Sequence, residues 1–385
     1  MEQVFKDVFF ALVRVGLSGA ELNADVKNLI TLENLPLLYK VAKKHDLAHL
    51  ICQALEKNGL LADGGEAKAH FEKERNMAIF RYTQMQYELE QICKTLDDAK
   101  ISYIPLKGSV IRAFYPEPWM RTSCDIDVLV KKEDLENAIE TLKTKLEFTC
   151  EKIGGHDAQM YSPIGVHLEL HYKLNSNSPL EEGVLSQVWS HVKSFDNPHC
   201  EMTEEMFYFY HIAHMAGHFK VGGCGIRTFL DLYLLRKNLA YNDEKLRDLL
   251  KAGGLEVFFD AVCAVADFWF GDCEKTPLIA EIENYILNAG MYGDMKHRVA
   301  IQQKERGGSA RYLLSRIFMP YSQLKFVYPR LQKCPILFPF YQVKRWCNLL
   351  KKDSRKNSIN ELKETLNGDE EKKRRVTQLL KDLEL

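Results

Sequence analysis

The segment Asp125-Ile-Asp127-Val-Leu-Val130 constrains this chain more than any other stretch. Its aliphatic and β-branched run reads as a strand, and residues two apart on a strand project from the same face. Asp125 and Asp127 therefore share one volume, while Ile126 and Val128 face a core on the other side. Two carboxylates a few ångströms apart repel each other unless a cation sits between them or one is protonated. Hard divalent cations take oxygen ligands, commonly one or two carboxylates together with substrate phosphates. An Asp-x-Asp pair also arises by chance where a strand begins at the surface, so its meaning depends on its neighbours.

Upstream, Lys107-Gly108-Ser109 follows the short β-forming stretch 101–106 and opens an apolar segment that ends at Tyr115-Pro116. Glycine lets an anion approach the main chain closely, and N–H groups at a helix start attract phosphate. The plainer reading is a strand–helix turn. Downstream, Val166-His-Leu-Glu169-Leu-His171 alternates, with Leu168 and Leu170 on one face and His167, Glu169 and His171 on the other. An acid among apolar neighbours needs a partner, because an unpaired buried charge is costly. A cation held by Asp125 and Asp127 on a neighbouring strand would be such a partner.

Around these motifs the pattern runs strand, helix, strand, helix, strands. Residues 132–146 carry Leu135, Ala138, Ile139 and Leu142 on one helical face, and 148–153, 158–161 and 166–172 alternate as strands. Residues 1–100 read as helical. Leu37, Leu38, Val41, Ala42, Leu47, Leu50, Ile51 and Leu55 recur at three- and four-residue steps, and 66–99, free of Gly and Pro, reads as one long helix. Helical spacing returns from Thr203 through 207–219 and 227–239. Pro320, Pro329, Pro335 and Pro339 then punctuate the chain before a charge-dense stretch from Lys351. The expected fold is α+β, a small mixed sheet flanked by N- and C-terminal helical modules. The expected divisions are 1–100 (helical), 101–175 (core), 176–315 (helical substrate or cap module) and 316–385 (helical segment and charged tail).

Several classes of function are excluded or weakened. A net charge of −1 gives no bulk argument for nucleic-acid binding. The ten cysteines include no C-x-x-C pair and lie in apolar stretches, which speaks against a zinc ribbon and for reduced core thiols in a cytoplasmic setting. No basic leader opens the chain, and no apolar run approaches the roughly 18 residues of a membrane span. His211, His214 and His218 share a helical face, but no Glu completes H-E-x-x-H, so packing or cleft-lining roles are expected. Arg227 and Asp231, four apart, fit an intrahelical ion pair worth a few tenths of a kcal/mol. The aromatic run Phe207–Tyr210 fits core packing.

The order Gly-Ser at a helix start, Asp-x-Asp on the next strand and a third acid on a later strand resembles the DNA polymerase β-like nucleotidyltransferases. Within them the chain is similar to a little-characterised bacterial nucleotidyltransferase group. The likeness runs through Leu106-Lys107-Gly108, Tyr115-Pro116, Arg121, Asp125 to Val130 and Leu168-Glu169-Leu-His171. Further along it includes His211 to His218, Gly225-Ile-Arg227, Leu230-Asp231 and the stretch from Tyr328-Pro329 to Arg345. The Gly108-to-Asp125 separation is longer than in minimal enzymes and implies an extended helix and loop.

The resemblance implies Mg²⁺ or Mn²⁺ held by Asp125, Asp127 and Glu169. It implies transfer of an NMP group from an NTP, ATP among them, to a hydroxyl-type acceptor with release of pyrophosphate. Lys107, Gly108, Ser109 and Arg121, with Arg112 behind them, would contact the nucleotide. His171, His214, Arg227 and Asp231 would line a substrate cleft. The acceptor, whether small molecule, protein or RNA end, and the oligomeric state stay open. Two rivals fit less well. A haloacid-dehalogenase phosphatase places its apolar strand before the first Asp, not after it. A D-x-D glycosyltransferase needs a nucleotide-binding βαβ region where residues 1–100 read helical. A non-catalytic nucleotide-binding or toxin/antitoxin-like regulatory protein on the same fold is the remaining alternative, and the presence of all three acids speaks against it.

Overall fold

A computed structural model describes residues 3–62, 65–289, 318–321, 324, 328, 330–349 and 370–385. Pro329 and residues 351–369 of the charge-dense stretch lie outside the described residues. The chain forms two compact units, Met1–Gly217 with Gly225–Glu283, and His218–Cys224 with Asn284–Leu385.

Among the described residues of the first unit, five helices precede any strand: α1 (Gln3–Ser18), α2 (Ala24–Asn28), α3 (Leu35–Lys44), α4 (Ala48–Lys57) and α5 (Gly65–Asp98). Helix α5 runs unbroken over 34 residues, as expected of a stretch without internal Gly or Pro. Phe71, Ala78, Met85, Leu89, Ile92 and Leu96 repeat at three-, four- and seven-residue steps and form its buried stripe. Its first half packs on α3 and α4 and its second half on the sheet.

The strands are β1 (Tyr103–Pro105), β2 (Asp125–Val130), β3 (Thr149–Ile153), β4 (Asp157–Tyr161) and β5 (His167–His171), in spatial order β1-β2-β5-β4-β3. β2 and β5 are parallel and every other pair is antiparallel. The fold is therefore α+β with a mixed sheet. A parallel pair requires a crossover, and α7 (Leu135–Leu146) opens it. Ile126, Val128 and Val130, Ala158 and Met160, and Leu168 and Leu170 line one face. They pack on Met85, Leu89, Ile92 and Leu96 of α5 and on Leu135, Ala138, Ile139 and Leu142 of α7.

Between β1 and β2 the structure differs from expectation. In place of an extended helix stand one α-turn, α6 (Gly108–Ile111), and two 3-10 turns, Arg112–Phe114 and Pro118–Met120. Pro116 and Pro118 account for this, since each removes a helical donor and disfavours helix in the residue before it.

After the sheet come α8 (Pro179–Leu185), α9 (Glu204–Lys220), α10 (Ile226–Asn238), α11 (Asp243–Gly253), α12 (Glu256–Phe270) and α13 (Pro277–Ala289). Thr203 caps α9, its Oγ1 accepting from the Met206 N–H at 3.4 Å. Phe10 of α1 stacks on Trp269 of α12 with centroids 4.9 Å apart, and Phe229 of α10 meets Trp269 edge-on at 4.7 Å. Helices from both sides of the sheet in sequence thus share one aromatic core. Beneath it Glu283 accepts from Lys6 at 2.9 Å, Lys275 at 2.7 Å and the Trp269 indole at 3.3 Å.

In the second unit the Tyr285 hydroxyl donates to the Phe219 carbonyl at 2.9 Å. Leu324, Leu331 and Tyr341 form a small core with Met319, Tyr321, Tyr328 and Phe338 packed around it. Among the described residues no helix is long and apolar enough to cross a membrane, and no disulfide joins any of the ten cysteines. Cys52, Cys200, Cys224 and Cys263 are buried, whereas Cys124, Cys273, Cys334 and Cys347 are exposed, so the expectation of core thiols holds for only part of the set.

Leu168, fully buried at the centre of the apolar face, gives a direct test of this packing. Leu168→Ala is expected to cost about 2–5 kcal/mol in urea unfolding. A loss below about 1 kcal/mol would mean that this face does not carry the core.

Candidate active site

Strands β2 and β5 run in parallel with Asp125 opposite His167 and Asp127 opposite Glu169. The period of two then places Asp125, Asp127, His167, Glu169 and His171 on the face away from the core. One ligand atom each from Asp127, Glu169 and His171 lie within 4.8 Å of one another, and the same holds for Asp125, His167 and Glu169. Both metal-capable groups found among the described residues are these two, and they share Glu169. Strand β4 extends the polar face, with Asp157, Gln159 and Tyr161 opposite His171, Glu169 and His167.

The three acids differ in environment. Asp127 is buried and accepts from Lys107 Nζ at 2.6 Å and pairs with His171 Nε2 at 2.8 Å. Burial works against its ionisation, but His171 and Lys107 outweigh burial and hold the carboxyl well below its usual range. Asp125 is half-buried, and burial, followed by the charge of Asp127, pushes its carboxyl up. Glu169 is also half-buried. The His171 hydrogen bond holds it low, with contact at 3.4 Å. His171 itself is raised: burial opposes its charge, but its bonds to Asp127 and Glu169 prevail. Three carboxylates thus face two cationic partners, and the excess negative charge lies on the Asp125–Glu169 side.

The turn before α6 reaches this face through Lys107. Its backbone sits at φ 42°, ψ −116°, a left-handed region that costs a non-glycine residue on the order of 1–3 kcal/mol. That turn lets the side chain fold back onto Asp127. Gly108 packs closely against the segment before β2. A Cβ there would lie 2.8 Å from Arg121 Nη1 and 3.3 Å from the Ser123 Cβ. The Ser109 N–H is given to the Leu106 carbonyl at 3.0 Å. Ser109 also borders a cavity of about 500 Å³, shared with Gln86, Leu89, Tyr103 and Phe207. Arg112 is braced against Gly108 O at 2.7 Å and Ser123 Oγ at 3.0 Å, and burial followed by Arg121 brings its guanidinium down to about 10.

Arg121 grips Asp231, Nη2 to Oδ2 at 2.9 Å and Nε to Oδ1 at 3.3 Å, and the Tyr115 hydroxyl donates to the same carboxylate at 2.7 Å. Arg227 does not pair with Asp231 one turn along its helix. It binds Asp46 in the α3–α4 connection and Thr122 Oγ1, the latter at 3.0 Å. His211 is buried with Nε2 3.4 Å from the Thr228 carbonyl, and His214 stands 6.4 Å from the Tyr210 ring. The aromatic run is core, as expected, with Phe207, Tyr208, Phe209 and Tyr210 all buried.

Two groups at the site escaped the sequence reading. Tyr210 is one: burial pushes its phenol up, Lys107 works against that, and the three carboxylates add to it, yet nothing in the run Phe207–Tyr210 distinguishes it. The polar residues of β4 are the other, and the alternation Asp157, Gln159, Tyr161 against Ala158 and Met160 is a signal that would have found them. His167 had been placed on the right face without a role. Its Nε2 is shut off from solvent and has no hydrogen-bond partner among the described residues, and a ligand nitrogen of its ring lies within 4.8 Å of Asp125 and Glu169. An imidazole and two carboxylates converging around one point, with excess negative charge, fit a divalent cation.

Fold and site together define an α+β protein with a carboxylate–histidine centre able to hold a metal ion. A family model described as an uncharacterised nucleotidyltransferase matches residues 32–271, which include the sheet and α9–α12, and the chain belongs to that family. No curated protein and no solved structure matches it.

Removing Asp231 strands the Arg121 guanidinium in a mostly buried site. Asp231→Ala is expected to cost about 3–5 kcal/mol in denaturant unfolding, and a value near zero would show that the pair is solvated. Arg121 also lowers the Asp231 carboxyl, with burial opposing. The unfolded chain therefore takes up this proton more readily, and the pair's contribution, complete above roughly pH 4, is lost as pH falls. Asp231→Asn is expected to flatten the acid limb of the stability–pH curve relative to wild type.

Proposed function

We propose that the protein is a metal-dependent nucleotidyltransferase of the DNA polymerase β-like superfamily. It moves an NMP group from an NTP such as ATP to a hydroxyl on a small molecule, a protein or an RNA end. The acceptor oxygen bonds to the α-phosphorus, the bond from the α-phosphorus to the bridging oxygen breaks, pyrophosphate leaves and the acceptor gives up a proton. The observation that carries this reading is the parallel β2–β5 register, which brings Glu169 beside Asp127.

Asp125, Asp127 and Glu169 hold the divalent ion, Mg²⁺ or Mn²⁺. When bound there, the ion supplies charge neutralisation on the phosphates and acidifies the attacking hydroxyl. Lys107 is the nearest cation to the carboxylates and follows the triphosphate once Asp127 is engaged. Gly108 keeps the turn close to the sheet. With its amide committed to Leu106, Ser109 offers only its hydroxyl. Glu169 and Asp125, the more open acids, face the acceptor side. His171 holds Asp127 and Glu169 ionised and oriented. Arg121 and Asp231 brace the segment before β2, Arg227 fixes that segment to α10, and His214 lies beside Tyr210 at the edge of the cleft. Ten cysteines without a disulfide suit a reducing, cytoplasmic setting.

One observation favours the non-catalytic alternative: Lys107 and His171 already neutralise much of Asp127. The two readings separate on incubation with each α-labelled NTP, Mg²⁺ or Mn²⁺ and cell extract. The catalytic reading expects a labelled product from wild type that falls by at least about a thousandfold in Asp125→Asn/Asp127→Asn. Equal labelling by both proteins would remove it, and nucleotide binding without any labelled product would favour the binding protein.

A further inference from the structure

The reading of a metal-dependent centre leaves His167 unexplained. Its position is fixed on three sides. Backbone register sets it directly opposite Asp125 on the parallel neighbour. The Tyr161 ring stacks on it, centroids 4.7 Å apart and planes 19° from parallel, so the imidazole has little freedom to turn. Glu169 follows two residues later on the same face, and ligand atoms of Asp125, His167 and Glu169 lie within 4.8 Å of one another.

Enclosed imidazole nitrogens normally find a partner, because an unsatisfied polar atom out of water is costly. His171 obeys this rule with Nε2, which is committed to Asp127 and in contact with Glu169. Each histidine nevertheless keeps one enclosed nitrogen without a hydrogen-bond partner among the described residues, Nδ1 in His171 and Nε2 in His167. The two histidines, four residues apart on β5, thus differ in what Nε2 does: in His171 it is committed to Asp127, and in His167 it is not. His171 is a counter-charge and His167 is an open donor.

We infer that His167 supplies a nitrogen ligand to the ion held by Asp125 and Glu169, so that this half of the centre selects a first-row transition ion over Mg²⁺. The inference rests on the metal-dependent reading and adds a donor to it. Magnesium prefers an all-oxygen octahedron and sheds water reluctantly, whereas imidazole suits the later first-row ions, whose affinity for nitrogen rises along the series from Mn²⁺. Neutral imidazole is the ligating form, and no covalent step is involved.

The test uses the full chain and Mn²⁺, Zn²⁺ and Mg²⁺ as probes, with no nucleotide. Pulsed electron paramagnetic resonance on the Mn²⁺-loaded protein is expected to show nitrogen modulation that disappears in His167→Ala. By calorimetry, Zn²⁺ and Mn²⁺ affinity is expected to fall at least about tenfold in that variant, with Mg²⁺ affinity changing less than about twofold. His167→Gln keeps the size of the side chain and offers an oxygen, so it serves if the alanine variant does not fold. It is expected to lose the nitrogen signal while keeping Mg²⁺ affinity. Nitrogen modulation that persists in either variant, where His171 is intact, overturns the inference, as does an equal loss for Mg²⁺ and the transition ions. Failure here is distinct from failure of the transferase reading. Labelled product with no nitrogen ligation removes His167 alone. Nitrogen ligation with no labelled product in any condition removes nucleotidyl transfer and keeps the metal site.

Discussion

Everything at the polar face depends on the parallel pairing of β2 with β5. It sets two acid-bearing strands about 4.8 Å apart with like charges level with one another, Asp127 beside Glu169, an arrangement that is unfavourable by itself. The opposite face of the same strands holds it in place. Because side chains alternate with a period of two, a one-residue slip of β5 would turn Leu168 and Leu170 toward Asp125 and Asp127, and would drive Glu169 into the core against α5 and α7. The apolar face therefore fixes the register, and the position of the carboxylates is a consequence of how the core packs.

The repulsion so created is met locally. Lys107 comes from a strained turn and His171 from the same strand as Glu169, and both converge on Asp127. They leave the other two acids unequal. Burial and Asp127 make Asp125 reluctant to ionise, while His171 keeps Glu169 charged. A cation entering between Asp125 and Glu169 would offset both the burial of Asp125 and its repulsion by Asp127. The strain at Lys107 fits the same picture. A left-handed lysine persists only where its surroundings over-determine it, and here the ion pair with Asp127 and the close packing of Gly108 against Arg121 do so from both sides.

How much of this was legible in the sequence follows from the range of each interaction. The strand identity of 125–130, the three acids and the face each takes were readable, because strand periodicity is local and the patterns are clean. The long helix α5 was readable for the same reason. The short α6 and its 3-10 turns were not, although Pro116 and Pro118 are present in the sequence. The spacing from Gly108 to Asp125 implies an extended helix and loop, but spacing alone does not say where the helix stops. The partners of Arg227 and Asp231 were also beyond reach. Their spacing of four favours an intrahelical pair, but each meets a partner more than a hundred residues away, Asp46 for one and Arg121 for the other. Buried or partly buried pairs of that kind are decided by tertiary packing, which no local pattern records.

Those long-range pairs explain how helical segments far apart in sequence come to shape a site on a five-stranded sheet. Arg121 and Thr122 lie just before β2, and each is anchored to α10, Arg121 by Asp231, which also accepts from Tyr115, and Thr122 by Arg227, while Thr122 also donates to Asp46 in the α3–α4 connection. Asp231 and Arg227 belong to α10, whose Phe229 packs into the aromatic core with Trp269 and Phe10. A displacement of α10 would therefore act on residues 121–122 and, four residues later, on Asp125. Gly108 lies against the same segment from the other direction, since a Cβ there would come within 2.8 Å of Arg121 Nη1. The helices on both flanks of the sheet are thus mechanically part of the carboxylate centre, although among the described residues the metal-capable groups themselves come from β2 and β5.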